Sequence, residues 1–585
     1  MNKNSFHWRI ASLLVLFFVL FSLVIYRLFY WQVLASEELS ELAKNQYYSQ
    51  IEIPPSRGEI FASDSFPLVI NKEAYLLYAS RPQLKKPPAE IAKELAPLLA
   101  PDPTKEATDP AQRKTKAELI ESEELSLEEK LGWEELVWII LKHKLSPEVR
   151  EQIESLAIEG LGFSEEPIRF YPEASMAAHL SGFVGKNEAG RDTGYFGLEG
   201  FYDLELRGRQ GLLTQETDAG NDPILIGSFS NQEKKDGQSL ILHLNRSVQF
   251  LVEEKLKQAL EKYEAKSGSV VVMNPQTGGI VALAAEPSFS QETYFQFEKE
   301  VFKNPVISDA YEPGSTFKIF VMAAALDRGL VEPETKCDLC SGPIKIDKYT
   351  IRTWNDEYHP DSTMREVIQH SDNTGMVFVA QKFSRDQFWQ FLEDFGFGEK
   401  TGIDLQGEIA SSLRPKKDWS QVDLATAAFG QGIAVTAIQM VRAGAVIANG
   451  GQLVEPQVVK EIISGEERIG IQPRPVGRVI KPATAQIVKE MMVQAVEKGE
   501  AKWLKLPGYQ VAGKTGTAQI PVAGHYDQEK TIASFIGFAP ADEPRFVMLV
   551  KLREPQSSPW GSETAAPLFF SIAKELLVYY GVQPD

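Results

Sequence analysis

Glu312-Pro313-Gly314-Ser315-Thr316-Phe317-Lys318 leads directly into the apolar run at residues 319–326. Proline and glycine mark a turn and the run behind them is helix-prone, so the stretch reads as a turn that launches a helix at Ser315. Residues three apart on a helix share a face, which sets the Lys318 amine beside the Ser315 hydroxyl, where it can accept a proton once burial weakens its hold on its own. The helix start also offers free N–H groups to a developing oxyanion. A single Ser-x-x-Lys is weak evidence, because most such pairs are a helix start followed by a solvated lysine.

Two further patterns follow in order. Ser371-Asp372-Asn373 alone is an ordinary turn or helix cap. Lys514-Thr515-Gly516-Thr517, preceded by Val511-Ala512-Gly513, alone is a strand entry in which Gly516 admits a close backbone approach. The spacings leave room for a helical lobe between nucleophile and strand, and the order is the one shared by penicillin-recognising enzymes.

A chain of 585 residues must divide into more than one domain. Its 43% apolar and 24% charged residues are ordinary for a globular protein. The formal net charge of −19 speaks against a nucleic-acid partner, since phosphate backbones are bound by a surplus of Lys and Arg.

Residues 10–26 carry no charge, and apolar character resumes at Leu28, Phe29, Tyr30 and Trp31. This reads as a transmembrane helix over residues 10–31, with Arg9 and Arg27 at the two interfaces. Lys3 and Arg9 precede it while Glu37, Glu38 and Glu41 follow, which places the N-terminus, residues 1–9, in the cytoplasm and the rest outside the plasma membrane. A cleaved signal peptide, cut near Val33-Leu34-Ala35, is the competing reading. The length of the run and the aromatic residues before that point favour an uncleaved anchor.

After a juxtamembrane linker at residues 32–50, residues 51–57 (IEIPPSR) and Gly58 open a folded domain. Residues 51–236 show no nucleophile–base or metal-spacing pattern and read as a spacer or docking pedestal. Within them, residues 114–156 are charged and helix-prone, and residues 101–110 read as a solvated loop. From residue 237 the texture changes. A helix is expected at residues 248–260, strands at 269–273, 280–285, 534–538 and 546–552, and a closing helix at 565–580. The expected fold is therefore α+β and multidomain, with a mainly antiparallel sheet flanked by helices in the second domain, residues 237–585.

On the three patterns together, the chain resembles the class B penicillin-binding proteins, of the septal or sporulation type. The likeness extends to Asn274-Pro275 with Thr277-Gly278, Phe429-Gly430-Gln431-Gly432 with Thr436 and Gln439, Phe535-Ile536-Gly537-Phe538, and Ala565-Ala566-Pro567. In the first domain it includes Arg57-Gly58 with Ile60, Arg169 with Tyr171-Pro172, and Gly197-Leu198-Glu199. Asn245 and Asn274 stand where that family usually has aspartates, and Ser63-Asp64-Ser65 replaces its Asp-Arg-Asn-Gly.

The resemblance implies a serine β-lactamase-like transpeptidase domain on an elongated α+β pedestal, active in peptidoglycan cross-linking, in division by preference, and inhibited by β-lactam antibiotics. Ser315 is then the nucleophile toward a stem peptide ending in D-Ala-D-Ala, Lys318 its base, and Ser371 with Lys514 the proton relay to the leaving amine. Asn373 holds the peptide; Thr515, Gly516 and Thr517 line the substrate strand, with the two threonines on one side to grip the terminal carboxylate. The backbone N–H groups of Ser315 and Thr517 form the oxyanion hole. No metal or organic cofactor is implied. A polytopic glycosyltransferase and divisome proteins are the implied partners.

Other readings share these residues. A β-lactamase needs a deacylating base, for which Glu408 is placed temptingly, although its setting resembles a transpeptidase surface motif. A D,D-carboxypeptidase and a scaffold of the division or elongation complex also remain, and Ser315→Ala separates scaffold from enzyme. A bifunctional enzyme would need a further catalytic domain for which residues before 237 leave no room. Cys337 and Cys340, the only cysteines, read as a loop clip or free thiols, with half a zinc knuckle as the sharper alternative.

Overall fold

The computed structural model of the protein describes residues 3–40, 48–101, 115–133, 136–216, 229–411, 413–522 and 525–584. Almost all of the loop expected at residues 101–110, and the linker at residues 41–47, lie outside them. The chain forms two compact units, Met1–Arg57 with Arg207–Gly237, and Gly58–Leu206 with Gln238–Asp585.

In the first unit, helix α1 (Lys3–Phe29) runs on through one wider turn, Tyr30–Leu34. The segment His7–Leu34 is long and apolar enough to cross a membrane. The Arg27 guanidinium lies 5.0 Å from the centre of the Trp31 ring, an arrangement suited to an interface. Three antiparallel strands, Tyr48–Ile53, Gly211–Glu216 and Phe229–Gln232, complete this unit.

The second unit carries the pedestal residues from Gly58 onward. The stretch at residues 114–156 is not helical throughout. Helices Lys116–Leu131 and Pro147–Ser155 flank a strand, Trp138–Leu145, which pairs with Tyr75–Ser80. Trp138-Ile139-Ile140-Leu141 explains the difference, since alternate residues are buried there and β-branched and aromatic side chains suit a half-buried pleat better than a helix. The matched pedestal motifs meet in space. Arg169 Nε donates to Glu199 Oε1 at 2.7 Å, with the two side chains 7% and 0% exposed. Gly58 is a glycine of necessity, because a Cβ there would lie 1.9 Å from the Gln238 carbonyl oxygen. Strand Ser239–Leu242 pairs on one side with Ile60–Phe61 and on the other with Val459–Ser464, so one six-stranded sheet spans residues from both halves of the chain.

The half of the chain from residue 237 onward is built on α2 (Arg246–Tyr263), β1 (Ser267–Met273), β2 (Ile280–Glu286), α3 (Lys318–Asp327), α4 (Met364–Gln369), α5 (Asn373–Ala380), α6 (Ala437–Ala448), α7 (Pro482–Lys498), β3 (Ala512–Val522), β4 (His525–Ala539), β5 (Phe546–Arg553) and α8 (Ala565–Tyr579). The five strands form an antiparallel sheet in the order β2-β1-β5-β4-β3. One face, with Val270, Val272, Phe535 and Met548, packs against α2 and α8; the other, with Val271, Ile536 and Leu549, joins the larger core of α3, α5 and α6. The two asparagines at positions 245 and 274 both act as acceptors: Asn245 Oδ1 caps α2 through Val248 N at 3.1 Å, and Asn274 Oδ1 accepts from Gln276 N and Thr277 N.

Candidate active site

The three sequence patterns come together at the free edge of the sheet, formed by β3. Gly314–Phe317 is a short 3-10 turn that continues as α3, with Ser315 half-buried at its start. In such a turn residues i and i+3 eclipse, which puts Ser315 and Lys318 on one line. The turn is held from outside. Gly314 (φ +57°) donates from its N–H to the Gly430 carbonyl at 3.0 Å, and a Cβ on Gly430 would lie 2.1 Å from the Gly314 oxygen. Gly432 N donates to Glu312 Oε1 at 3.1 Å. The Phe429-Gly430-Gln431-Gly432 segment is thus a clamp on the turn that carries Ser315, and its glycines are required by close approach and positive φ. Behind it, Phe317 packs 5.0 Å from Phe397 and 5.9 Å from Phe320 and Phe391 between ring centres, which fixes the root of α3 in a rigid aromatic core. Thr436 and Gln439, also matched in the sequence, form the capping box of α6.

Lys318 is fully buried, and its nitrogen is held by the second pattern. It donates to Ser371 O at 2.5 Å, Ser371 Oγ at 3.2 Å and Asn373 Oδ1 at 2.8 Å. A bond from Lys318 to Ser315 is not among those formed by the described residues. Burial pushes the Lys318 ammonium down to about 7, the nearby positive Lys514 adds to that, and Glu500 and Asp372 work against it. Asp372 is the helix cap that the sequence allowed for, accepting from Thr374 N at 2.7 Å and Gly375 N at 3.1 Å. The cap frees its neighbours for the site. Ser371 sits in the left-handed region (φ +56°), a strained setting for a non-glycine residue, and there it turns both oxygens onto Lys318. Asn373 is anchored on its other side by Nδ2 donating to Arg352 O at 2.9 Å.

On β3, Lys514 stands opposite Ile536 and Thr515 opposite Phe535, so the two side chains leave opposite faces of the strand and Thr515 shares a face with Thr517. Lys514 is buried, which pushes its ammonium down, while Glu500 opposes the shift. Its nitrogen donates to Thr515 O at 3.2 Å and Thr515 Oγ1 at 3.0 Å. Thr515 Oγ1 in turn lies 2.6 Å from Glu500 Oε2, and Thr517 Oγ1 accepts from Gly561 N at 2.9 Å. The close approach that Gly516 permits is made by the Gly314–Phe317 turn: a Cβ there would lie 2.7 Å from Thr316 Cγ2 and 3.2 Å from Pro313 O. A Cβ on Gly314 would likewise be 3.0 Å from Thr517 O, so the main chains at Ser315 and Thr517 are brought together. Glu500 carried no signal in the sequence; a glutamate after a helix-ending glycine is common, and only the return of α7 against β3 reveals it.

Several alternatives lose their footing. Glu408 is spent inside its own loop, accepting from Thr401 N and Thr401 Oγ1, both at 2.6 Å, and from Gly402 N at 3.2 Å. Cys337 and Cys340 are joined in a disulfide with Cα atoms 5.5 Å apart, the loop-clip reading.

Comparison with known proteins agrees with this architecture. Residues 268–576 match the penicillin binding protein transpeptidase domain, and residues 52–242 match the penicillin-binding protein dimerisation domain. The chain is 33% identical over 580 residues to stage V sporulation protein D of Bacillus subtilis, covering 97% of this chain and 86% of that protein. It is 30% identical over 579 residues to a probable peptidoglycan D,D-transpeptidase, PenA, of Neisseria meningitidis, covering 98% and 93%. Among solved structures, penicillin-binding protein 3 of Mycobacterium tuberculosis complexed with ampicillin is similar, with a TM-score of 0.68 at 25% identity over 92% of this chain and 97% of that one. With both domain models in order along the chain and likeness over nearly its whole length, the chain belongs to the class B penicillin-binding proteins.

Proposed function

We propose that this chain is a peptidoglycan D,D-transpeptidase working through a serine acyl-enzyme, and that β-lactams acylate the same serine. The observation that carries the reading is Lys318, a fully buried lysine three residues after Ser315 that donates to Ser371 Oγ and Asn373 Oδ1, with its ammonium pushed down to about 7 chiefly by burial. Ser315 Oγ attacks the carbonyl carbon of the penultimate D-alanine and gives its proton to neutral Lys318. The new oxyanion is met by the backbone N–H groups of Ser315 and Thr517, worth about 3 to 4 kcal/mol each. As the C–N bond breaks, Ser371 passes a proton to the leaving amine and is resupplied by the lysine pair. The acceptor amine then attacks the ester and restores Ser315. Asn373 orients the stem peptide, and β3 receives its terminal end at Lys514, Gly516 and Thr517. The chain's own groups suffice for each step.

α1 serves as a single-pass anchor with the N-terminus in the cytoplasm and the catalytic unit outside, where peptidoglycan is built. The proposed setting is cell division, with a polytopic glycosyltransferase and divisome proteins as partners.

The test is labelling of the full chain with a fluorescent penicillin, then turnover of a peptide ending in D-Ala-D-Ala with and without an amine acceptor. A stable adduct at Ser315, absent in Ser315→Ala, with product formed only onto the acceptor, is the expected result. Hydrolysis independent of acceptor would instead indicate a carboxypeptidase, rapid drug release a lactamase, and no adduct a scaffold.

A further inference from the structure

Lys514, Thr515 and Glu500 form a chain whose hydrogen-bond directions are dictated by chemistry. An ammonium can only donate and an ionised carboxylate can only accept. Lys514 Nζ therefore donates to Thr515 Oγ1 at 3.0 Å, and the single hydroxyl proton of Thr515 goes to Glu500 Oε2 at 2.6 Å. Glu500 follows α7, and Gly499 before it lets this turn close on the site: a Cβ there would lie 2.6 Å from the Gln369 carbonyl at the end of α4.

We propose that Glu500 is a positioning residue for acyl transfer: through Thr515 it anchors the Lys514 ammonium and supplies the negative charge that holds the lysine pair in its working arrangement. The inference rests on the transpeptidase reading above. It has a consequence for recognition. Because Thr515 has spent its proton on Glu500, the terminal carboxylate of a stem peptide, or of a penicillin, is gripped by Lys514 and by Thr517, whose hydroxyl proton is not used in accepting from Gly561 N.

The charged groups around this chain are few. α3 contributes Lys318, β3 contributes Lys514, and the turn before α5 contributes Asp372, which acts on Lys318. α4 is followed by His370, whose charged neighbours are His359, Glu366, Asp372 and Glu357. Glu500 acts on both lysines, favouring the ammonium form of each. If acylation needs Lys318 neutral and Lys514 charged, its rate is bell-shaped in pH. Removing the Glu500 charge weakens both ammonium ions and moves both limbs to lower pH.

The experiment measures the second-order rate of acylation of the full-length chain by a fluorescent penicillin from pH 5 to 10, in the parent, Glu500→Gln and Glu500→Asp. Glu500→Gln retains an acceptor for Thr515 and removes the charge. The expected result is a downward shift of both limbs, so that acylation at a fixed pH on the alkaline limb falls roughly tenfold. Glu500→Asp restores the limbs toward their parental positions. Limbs that stay in place while the whole curve is scaled down would mean that Glu500 only supports the fold, and would overturn the inference while leaving the transpeptidase reading intact. Failure of the parent itself to be acylated would overturn that reading, and this inference with it.

Discussion

Lys318 Nζ donates to Asn373 Oδ1 at 2.8 Å, so the proposed base, encoded three residues after the proposed nucleophile, is held in place by a residue 55 positions further along. A neutral amide there leaves the lysine free to lose its proton. Asn373→Asp puts an anion against Lys318, which favours the ammonium and raises its pKa by about 1 to 3 units. Acylation by a fluorescent penicillin at pH 7 is expected to fall at least about tenfold and to recover as the pH is raised.

The parent should show the corresponding acid limb. Lys318 is pushed down to about 7, chiefly by burial. Below that pH it is protonated and has no lone pair for the Ser315 proton, so acylation should drop on the order of tenfold per unit, and above it the rate should level off until the alkaline limb set by Lys514 begins. Stopped-flow labelling across pH 5 to 8 checks this.

Lys318→Met keeps a buried chain of similar length and removes the base. Acylation is expected to fall by about 10² to 10⁴-fold, while a thermal melt shows a folded protein, because the change also removes a costly buried charge.

Gly430 touches no reacting group in the proposed mechanism, yet its close approach to Gly314 sets the nucleophile turn. Gly430→Ala, at φ +80°, should cost about 1 to 3 kcal/mol in unfolding free energy and reduce acylation on the order of 10²-fold by displacing Ser315. Denaturant titration and labelling kinetics measure the two effects separately.

In the pedestal, Arg169→Ala leaves Glu199 buried without its guanidinium. A loss of about 3 to 5 kcal/mol is expected, seen as proteolysis within residues 58–206 at temperatures where the parent resists.

Periodicity and turn chemistry made much of the catalytic half legible. The helix expected at residues 248–260 is Arg246–Tyr263, the strands at 269–273 and 280–285 are Ser267–Met273 and Ile280–Glu286, and the closing helix at 565–580 is Ala565–Tyr579. These are local patterns that one buried face imposes on the sequence. The strand Trp138–Leu145 was hidden because charged helical segments surround it and overwhelm its alternation. The motifs themselves are not unique. Ser571-Ile572-Ala573-Lys574 repeats the Ser-x-x-Lys spacing, and Lys400-Thr401-Gly402 repeats Lys-Thr-Gly. In the fold, Lys574 and Lys400 are exposed to solvent, and Thr401 is bonded to Glu408 in a surface loop.

The sequence by itself determined the class of chemistry, the order of the motifs and an apolar run long enough to cross a membrane, because each is written in residue types at short range. Only the tertiary structure decided which serine and which lysines share a site, that Lys318 is held by Ser371 and Asn373, and that Glu500 closes the chain behind Lys514. Those relationships join residues tens to hundreds of positions apart. They exist only once the edge strand β3, the turn before α3 and the end of α7 are packed into one water-poor corner, where burial sets the proton affinities on which the chemistry depends.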